Sequence, residues 1–280
     1  MNIPNLKGKV AVVTGGTGVL CSEFCRVLAK AGCKVAIIGL RTEKGAALEK
    51  EIRDAGYEAT SFIMDVTNKE SVAKCHSEIL AKYGTCDILI NGAGGNNPKA
   101  TTGEEFFTKE SLVNENLKGF FDLDLDGFNL VFNLNMIGTL LPTQEFAKDM
   151  IGKKDATIIN ISSMNAFTPL TKIPAYSSAK AAVSNFTQWL AVHFAKEGIR
   201  VNAIAPGFFS TEQNKALLWN QDGTPTARAG KILNNTPVGR FGEASELIGT
   251  LLWLVDYEAS SFVTGIVVPV DGGFSAYSGV

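Results

Sequence analysis

Short apolar runs rich in β-branched residues alternate with longer amphipathic stretches along the chain. Seven such runs are predicted to form strands: Val10–Val13, Val35–Ile38, Ser61–Met64, Ile88–Ile90, Thr157–Ile161, Val201–Ile204 and Val263–Val270. Runs that are apolar on both faces are typical of a parallel sheet covered by helices on each side. The pattern therefore predicts a three-layer α/β fold of the Rossmann type, a doubly wound parallel sheet of about seven strands with helices on both faces.

The chain shows no internal repeat, low-complexity tract or linker, so residues 1–280 are expected to form a single domain. Two segments are longer than a helical crossover requires. They are 95–128, which contains GFFDLDLDGF, and 208–240. Long segments beside strand ends usually form lids or walls of binding sites, so both are predicted to flank the active site. An oligomer contact or a structural flap is the alternative for each.

Composition narrows the class of protein. Hydrophobic residues make up 45% of the 280 residues, enough to bury a substantial core. The formal net charge is -2 and there is no basic stripe, so nucleic acid and anionic membranes are poor partners. No run approaches the ~18 apolar residues that span a bilayer, and the N-terminus lacks a signal-peptide core. A cytoplasmic protein is therefore expected.

The cysteines indicate reduced thiols. All five lie in the first third of the chain, without the spacing of a disulfide framework. We expect them to pack as small apolar residues. The chain has only two histidines and neither completes a ligand pattern, so no metal site is expected.

A glycine-rich stretch, TGGTGVLC at 14–21, lies between the first predicted strand and the first helical stretch. Glycines allow the backbone to approach a pyrophosphate, and the N-terminus of the following helix offers unpaired N–H groups. Many glycine turns bind nothing, however. The stretch alone fits a dinucleotide cradle and a simple turn equally well.

Tyr176 and Lys180 are four residues apart, which places both side chains on one helix face about 5–6 Å from each other. A nearby cation favours tyrosinate, so Lys180 is expected to lower the pKa of Tyr176 towards the range of a general acid or base. Upstream, Ser162 and Ser163 end a predicted strand. They place a hydroxyl at the edge of the sheet where this architecture binds ligands.

These motifs resemble those of the short-chain dehydrogenase/reductase family over essentially the whole chain. The resemblance rests on TGGTGVL, INGAG, NLNMIG, IINISSM, PAYSSAK, RVNAIAPGFFST, TPVGRFGE and VDGG. It implies an NAD(P)-dependent oxidoreductase, and it selects Ser163 because the family's serine lies thirteen positions before its tyrosine. The implied catalytic residues are Asn135, Ser163, Tyr176 and Lys180.

The same resemblance implies a role for each catalytic residue. Tyr176 would exchange a proton with the substrate oxygen, which Ser163 would orient. Lys180 would depress the pKa of Tyr176 and hold the nicotinamide ribose. Asn135 would hold a water that links Lys180 to solvent.

The resemblance also implies a set of cofactor-binding residues. They are Gly15, Thr17, Gly18, Val19, Leu20, Arg41, Asp65, Val66, Asn91, Gly92, Ala93, Tyr176, Lys180, Pro206, Gly207, Phe209 and Thr211. Three positions depart from the family pattern: Val19 and Cys21 replace glycines, and Gly92 replaces an asparagine. These departures put the conformation of the turn in question.

Cofactor choice stays open between NAD(H) and NADP(H). Gly39 stands where many family members carry an acidic residue for the ribose 2′-hydroxyl. Arg41 suits either a 2′-phosphate or a solvated position at a helix start.

The resemblance extends to the segments that flank the site, and there it implies a small-molecule sugar-acid substrate, with interconversion of D-fructuronate and D-mannonate as the favoured reaction. A polyhydroxy acid requires hydrogen-bond partners and a cation for its carboxylate. The candidate contacts are Asn96, Asn165, Lys172 and Arg228. The alternatives are another sugar-acid or polyol dehydrogenase of the gluconate or 2-deoxygluconate type and, more distantly, a non-catalytic NAD(P)-sensing protein.

The resemblance finally implies a homotetramer. The helices after the fourth and fifth strands would form its interface, and the apolar surface of SNFTQWLAVHFA suits such burial. An ordinary core helix fits that stretch equally well. The aromatic residues Phe120, Phe121 and Phe128 are expected to pack in the core or in a lid.

Overall fold

A parallel sheet forms the centre of the protein, whose computed structural model describes residues 3–210 and 218–279. The strands within these ranges are β1 Val10–Thr14, β2 Lys34–Gly39, β3 Ala59–Ile63, β4 Ile88–Asn91, β5 Thr157–Ile161, β6 Arg200–Pro206 and β7 Val267–Val270. They form one seven-stranded sheet in the order β3-β2-β1-β4-β5-β6-β7. Every pairing is parallel. The predicted doubly wound fold is confirmed.

Helices cover both faces of this sheet. They are α1 Val19–Lys30, α2 Thr42–Asp54, α3 Lys69–Tyr83, α4 Leu125–Phe132, α5 Gly138–Phe146, α6 Pro174–Phe194, α7 Ala227–Asn234, α8 Ile248–Val255 and α9 Tyr257–Ser260, with a π-helical turn, Asn133–Ile137, between α4 and α5. Buried side chains of α1, α2 and α8 pack on one face of the sheet. Those of α3, α5 and α6 pack on the other. The sheet and the helices on its two faces form the three predicted layers.

The central strands are buried along their whole length, as their apolar runs predicted. Their few polar side chains bond to one another. Asn91 Nδ2 donates to Thr143 Oγ1 and to Asn160 Oδ1, each at 2.9 Å. Asn160 Nδ2 in turn donates to Thr187 Oγ1 at 2.9 Å. This buried chain of bonds fixes α5 and α6 against β4 and β5.

Two predicted strands include residues that lie outside the observed strands. The third strand is Ala59–Ile63 and ends before Met64, which is buried beyond it. The seventh strand is only Val267–Val270, half of the predicted run. The chain before it leaves the extended conformation at Gly265, which has a φ of 81°. The N–H of Gly265 still donates to the carbonyl oxygen of Val201 at 2.8 Å, and Asn202 Oδ1 accepts from the backbone N–H of Ile266 at 3.1 Å.

The first long segment folds as short turns leading into α4. Phe120 and Phe121, predicted to pack in a core or lid, contact each other edge to face at 5.4 Å between ring centroids but remain largely exposed. They are exposed because the segment covers its own turns rather than the sheet. Phe128 stacks on Phe132 at 5.4 Å and is partly buried.

All five cysteines are buried and free of disulfides, as predicted. Burial raises the pKa of each thiol, for example that of Cys33 to about 12. Among the helices within the described ranges, each is too short or too polar to cross a membrane.

Candidate active site

The glycine turn after β1 requires one of its glycines strictly. Gly15 has a φ of 66°, and a Cβ built on it would lie 2.7 Å from the carbonyl oxygen of Gly92. Gly18 is the N-cap of α1 and offers no side chain to the first N–H groups of that helix. Those groups remain available to an anionic ligand, since a helix leaves its first N–H groups unpaired.

A cavity of about 240 Å³ opens at the carboxyl ends of the central strands. β1 and β4 are neighbours there, at the point where the strand order reverses and ligands bind in this architecture. The predicted site residues that line it are Gly15, Gly18, Val19, Leu20, Gly92, Ser163, Tyr176, Lys180, Pro206 and Gly207. Four distant parts of the sequence thus meet at one cavity, which Cys21 and Gly94 also line.

Three of the predicted catalytic residues lie in contact within this cavity. Helix α6 begins at Pro174 and carries both Tyr176 and Lys180. Ser163 lines the cavity with Tyr176 and lies close enough to act on the pKa of its phenol. Lys180 Nζ lies 5.7 Å from the centre of the Tyr176 ring and donates to the carbonyl oxygen of Ile161 at 2.7 Å. The predicted shared helix face is therefore observed.

The predicted pKa direction for Tyr176 was wrong. Burial raises the pKa of Tyr176, and the hydrogen bond from Ser163 offsets this only in part. The Lys180 ammonium lies over the ring and donates to Ile161, so its charge does not compensate for burial of the phenol. Burial acts on the lysine as well and lowers the pKa of Lys180 to about 8.

The two serines after β5 face different surroundings. Ser162 Oγ bonds to Ser184 Oγ at 2.6 Å and donates to the carbonyl oxygen of Lys180 at 3.2 Å, both on α6. Ser163 Oγ accepts from the N–H of Asn165 at 3.2 Å and meets the Tyr176 hydroxyl. This geometry favours Ser163 as the hydroxyl that meets a substrate.

Asn135 lies in the π-helical turn and is buried. Its Nδ2 donates to the carbonyl oxygens of Gly95 at 2.8 Å and Val131 at 2.7 Å. A Cβ built on Gly94 would lie 2.6 Å from Asn135 Oδ1 and 3.0 Å from Lys180 Nζ. Gly94 therefore separates the amide from the ammonium, a contact that sequence reasoning missed although the glycine follows the fourth predicted strand.

Thr17 leaves no room for a side chain at Gly39, the last residue of β2. A Cβ built on Gly39 would lie 2.5 Å from Thr17 Oγ1 and 2.7 Å from its Cγ2. An acidic side chain at position 39 would therefore displace Thr17. Arg41 is exposed, and among residues 3–210 and 218–279 it forms no ion pair.

Other predicted cofactor residues lie outside the lining of the cavity. Asp65 Oδ1 accepts from the N–H and hydroxyl of Thr67 at 2.9 and 2.7 Å, which closes a turn after β3. Val66 and Phe209 are buried, and the N–H of Ala93 donates to Thr14 Oγ1 at 3.2 Å. The Asn91 side chain is directed into the sheet, as described above. Thr211 lies outside the described residues.

The predicted substrate residues divide into two groups. Lys172 and Arg228 line one further cavity of about 550 Å³, formed by both long segments and by the stretch 168–173. Asn96 is exposed and donates to Thr101 Oγ1 at 3.1 Å. Asn165 is buried, and its Oδ1 has no hydrogen-bond partner among the described residues.

An ion pair that the sequence did not indicate joins the two long segments. Lys231 Nζ lies 2.6 Å from Glu105 Oε1. The two residues are 126 positions apart, so no local pattern links them. Lys172 Nζ binds the same first segment, donating to the carbonyl oxygen of Gly103.

A third, apolar cavity of about 690 Å³ lies between the outer surfaces of α5 and α6. Trp189 is 55% exposed beside it and stacks on His193 at 4.5 Å. Val192, on the same helix, is 79% exposed. Within the described ranges, no group of three or more His, Cys, Asp or Glu side chains is arranged to hold a metal ion.

Comparison with known proteins identifies the family. A model of the short chain dehydrogenase family matches residues 9–222. An uncharacterized oxidoreductase of Haemophilus influenzae is 58% identical over 276 residues, which cover 99% of this chain and 96% of that protein. The chain belongs to the short chain dehydrogenase family, and it is an oxidoreductase of that family.

Solved structures resemble the protein closely. A Haemophilus protein with bound NAD, provisionally named a D-mannonate oxidoreductase, has a TM-score of 0.95 and 58% identity, covering 99% of this chain and 98% of its own. A gluconate 5-dehydrogenase from Burkholderia cenocepacia, in complex with NADP and tartrate, has a TM-score of 0.82 and 30% identity, covering 97% of each chain. Both nicotinamide cofactors thus occur among its relatives.

Proposed function

We propose that the protein interconverts D-fructuronate and D-mannonate as an NAD(P)-dependent oxidoreductase. The observation that carries the proposal is that Ser163, Tyr176 and the buried Lys180 line one cavity together with the glycine turn. The provisional name of the 58% identical structure supports the choice of sugar acid.

The lining of the cavity suits the pyrophosphate and the nicotinamide end of a dinucleotide. Gly15 and Gly94 keep side chains out of it, and the uncapped start of α1 suits the pyrophosphate. Lys180 would hold the nicotinamide ribose. When bound, the nicotinamide supplies a hydride in reduction and accepts one in oxidation. We propose NAD(H) as the physiological form because the 58% identical relative contains NAD.

The chain's own residues control the proton. The raised pKa of Tyr176 keeps its phenol protonated at neutral pH, ready to donate to the carbonyl oxygen of a substrate. Ser163 donates a hydrogen bond to the same oxygen and aligns it. The hydrogen bond from Ser163, which lowers the pKa of Tyr176, stabilises the tyrosinate that remains. In the oxidising direction Tyr176 takes the proton back from the alcohol.

Asn135 acts as a positioning residue in this proposal. Its bonds to Gly95 and Val131 hold the π-helical turn against the loop after β4. This fixes Gly94 beside Lys180, where the water that links the lysine to solvent would be held.

A second candidate function is oxidation of gluconate or a related acid. It is favoured by the 30% identical gluconate 5-dehydrogenase, whose structure contains tartrate, a hydroxy acid. Steady-state assays of the purified protein with D-mannonate, D-fructuronate, gluconate, deoxygluconate derivatives and neutral polyols, each with NAD(H) and NADP(H), separate the two. The proposal requires the highest kcat/KM for the mannonate and fructuronate pair. A higher value for gluconate selects the alternative, and inactivity with normal cofactor binding indicates a sensing protein.

We also propose that the protein forms a homotetramer through α5 and α6. The apolar cavity between these helices and the exposed Trp189 and Val192 support this assembly. Light scattering coupled to size-exclusion chromatography measures the assembly directly.

A further inference from the structure

The cavity that joins the two long segments carries an excess of positive charge. Its charged lining residues are Glu105, Lys172, Arg228 and Lys231. Three cations therefore face a single carboxylate among the described residues. A cavity with this balance favours an anionic ligand.

The three cations are not equally available. Lys231 is paired with Glu105 at 2.6 Å. Lys172 donates to the carbonyl oxygen of Gly103, and its own carbonyl accepts from the N–H of Thr102 at 2.9 Å, so it fastens the first segment. Arg228 is exposed at the cavity and forms no hydrogen bond or ion pair with any described residue.

The position of Arg228 in its helix adds a second observation. It is the second residue of α7, whose N-cap Thr226 accepts from the N–H of Ala229 at 3.2 Å. A helix start carries partial positive charge, and the first turn of α7 contains no acidic residue to balance the arginine. The arginine and the helix end therefore direct positive charge into the same space, and an anion there would relieve their repulsion.

Some of the residues that line this cavity are neighbours in sequence of residues that line the cavity with Tyr176. Phe208 lines it directly after Gly207, which lines the other cavity. Ile173 lines it three residues before Tyr176. A chain of a few carbons with its reacting oxygen at Tyr176 would extend its far end towards α7.

We propose that Arg228 binds the carboxylate of the sugar acid and thereby determines the preference for acids over neutral polyols. The inference rests on the proposed function, because it requires a sugar-acid substrate. The Glu105–Lys231 ion pair holds α7 against the first segment and keeps Lys231 from competing for the same anion. The guanidinium suits this role because it can bind a carboxylate with two parallel hydrogen bonds.

The test compares Arg228→Gln, Arg228→Lys and the wild type. A matched control is Arg53→Gln on α2, where the exposed arginine pairs with Glu49. KM and kcat are measured for the sugar acid at low and high salt, and binding of D-mannonate to the enzyme with NAD is measured by calorimetry. Thermal unfolding of each variant checks the fold.

Loss of the charge-assisted hydrogen bonds should raise KM and weaken binding about 10- to 100-fold in Arg228→Gln, with kcat nearly unchanged. Arg228→Lys should recover part of the affinity, and the control should match the wild type. The KM of the wild type should rise with salt, because salt screens the attraction between Arg228 and the substrate carboxylate. This rise should be smaller in Arg228→Gln, which lacks that attraction. A structural defect alone would not alter this salt dependence.

Two outcomes overturn the inference in different ways. An unchanged KM in Arg228→Gln, in an enzyme that does turn over a sugar acid, refutes the role of Arg228 and leaves the proposed function standing. A wild type that binds and turns over neutral polyols but no sugar acid refutes both.

Discussion

The thiol of Cys21 fills the space that a side chain at Gly92 would occupy. A Cβ built on Gly92 would lie 2.2 Å from Cys21 Sγ and 2.8 Å from the carbonyl oxygen of Thr14. Both positions depart from the family pattern, one with a larger residue than the usual glycine and the other with a smaller one than the usual asparagine. The two departures therefore compensate in volume between α1 and the end of β4.

Gly92→Ala should lower the free energy of unfolding by about 1–3 kcal/mol, because its methyl group would force Cys21 and β1 apart. Adding Cys21→Gly should recover part of this loss, since the contact with the Thr14 carbonyl would remain. Urea unfolding of the single and double variants measures the coupling. Gly230→Ala is the control, because nothing lies within 4 Å of its added Cβ. If Gly92→Ala lowers the free energy of unfolding equally in the wild type and in Cys21→Gly, the two sites do not interact.

Tyr176→Phe should reduce kcat by about 10²- to 10⁴-fold, because the proton donor to the substrate oxygen is lost. Cofactor binding, measured by NADH fluorescence titration, should stay nearly unchanged since the ring remains above Lys180. Tyr57→Phe, at a partly exposed tyrosine before β3, provides a matched control. Substantial activity in Tyr176→Phe would remove the tyrosine from the proposed chemistry.

Stability should depend on pH through Lys180. Its pKa is lowered to about 8 in the folded protein from 10.5, so between these values the unfolded chain binds more protons than the folded one. Stability therefore rises with pH across this window and falls as pH drops towards 8. From pH 7 to pH 9, the wild type should gain about 1 kcal/mol relative to Lys180→Met, measured by urea unfolding without cofactor. A parallel pH dependence in the two proteins would contradict the lowered pKa.

Cofactor choice can be altered at the contact between Thr17 and Gly39. Gly39→Asp combined with Thr17→Ala removes the two side-chain atoms that lie 2.5 and 2.7 Å from a new Cβ. The carboxylate should then repel a 2′-phosphate and shift kcat/KM towards NAD over NADP by at least about tenfold. Thr17→Ala alone should keep the wild-type ratio. If the double variant folds and its ratio is also unchanged, the ribose does not lie beside Gly39.

Trp189→Glu should dissociate the proposed tetramer, because it places a charge in the apolar surface between α5 and α6. Size-exclusion chromatography with light scattering should show a smaller species with retained helical content. Tyr57→Glu, at an exposed aromatic residue on another part of the surface, should leave the mass unchanged. A wild type that elutes as a monomer refutes the assembly.

Much of the fold was predictable because its signals are local. Fully apolar runs defined the strands, and the spacing of Tyr176 and Lys180 defined a shared helix face. The first half of the run before β7 is not a strand because the backbone leaves the extended conformation at Gly265, which the hydrophobicity of the run does not reveal.

The electrostatics of the site were less predictable. The pKa of Tyr176 depends on its burial and on its interaction with Ser163, and neither follows from a spacing of four residues. The Glu105–Lys231 pair depends on how two long segments meet. The compensation between Cys21 and Gly92 involves residues from different elements, so each appeared in the sequence as an isolated anomaly.

The buried thiols can be used to measure how often different parts of the protein open. Each is protonated at neutral pH, and thiols away from the cavity, such as Cys25 and Cys75, are enclosed by packed side chains, so an alkylating reagent reaches them only when the surrounding structure opens. Cys21 and Cys25 lie on α1 directly behind the glycine turn, whereas Cys75 lies on α3 across the sheet. The relative labelling rates of these thiols would therefore record how often the nucleotide end of the molecule opens compared with the opposite layer.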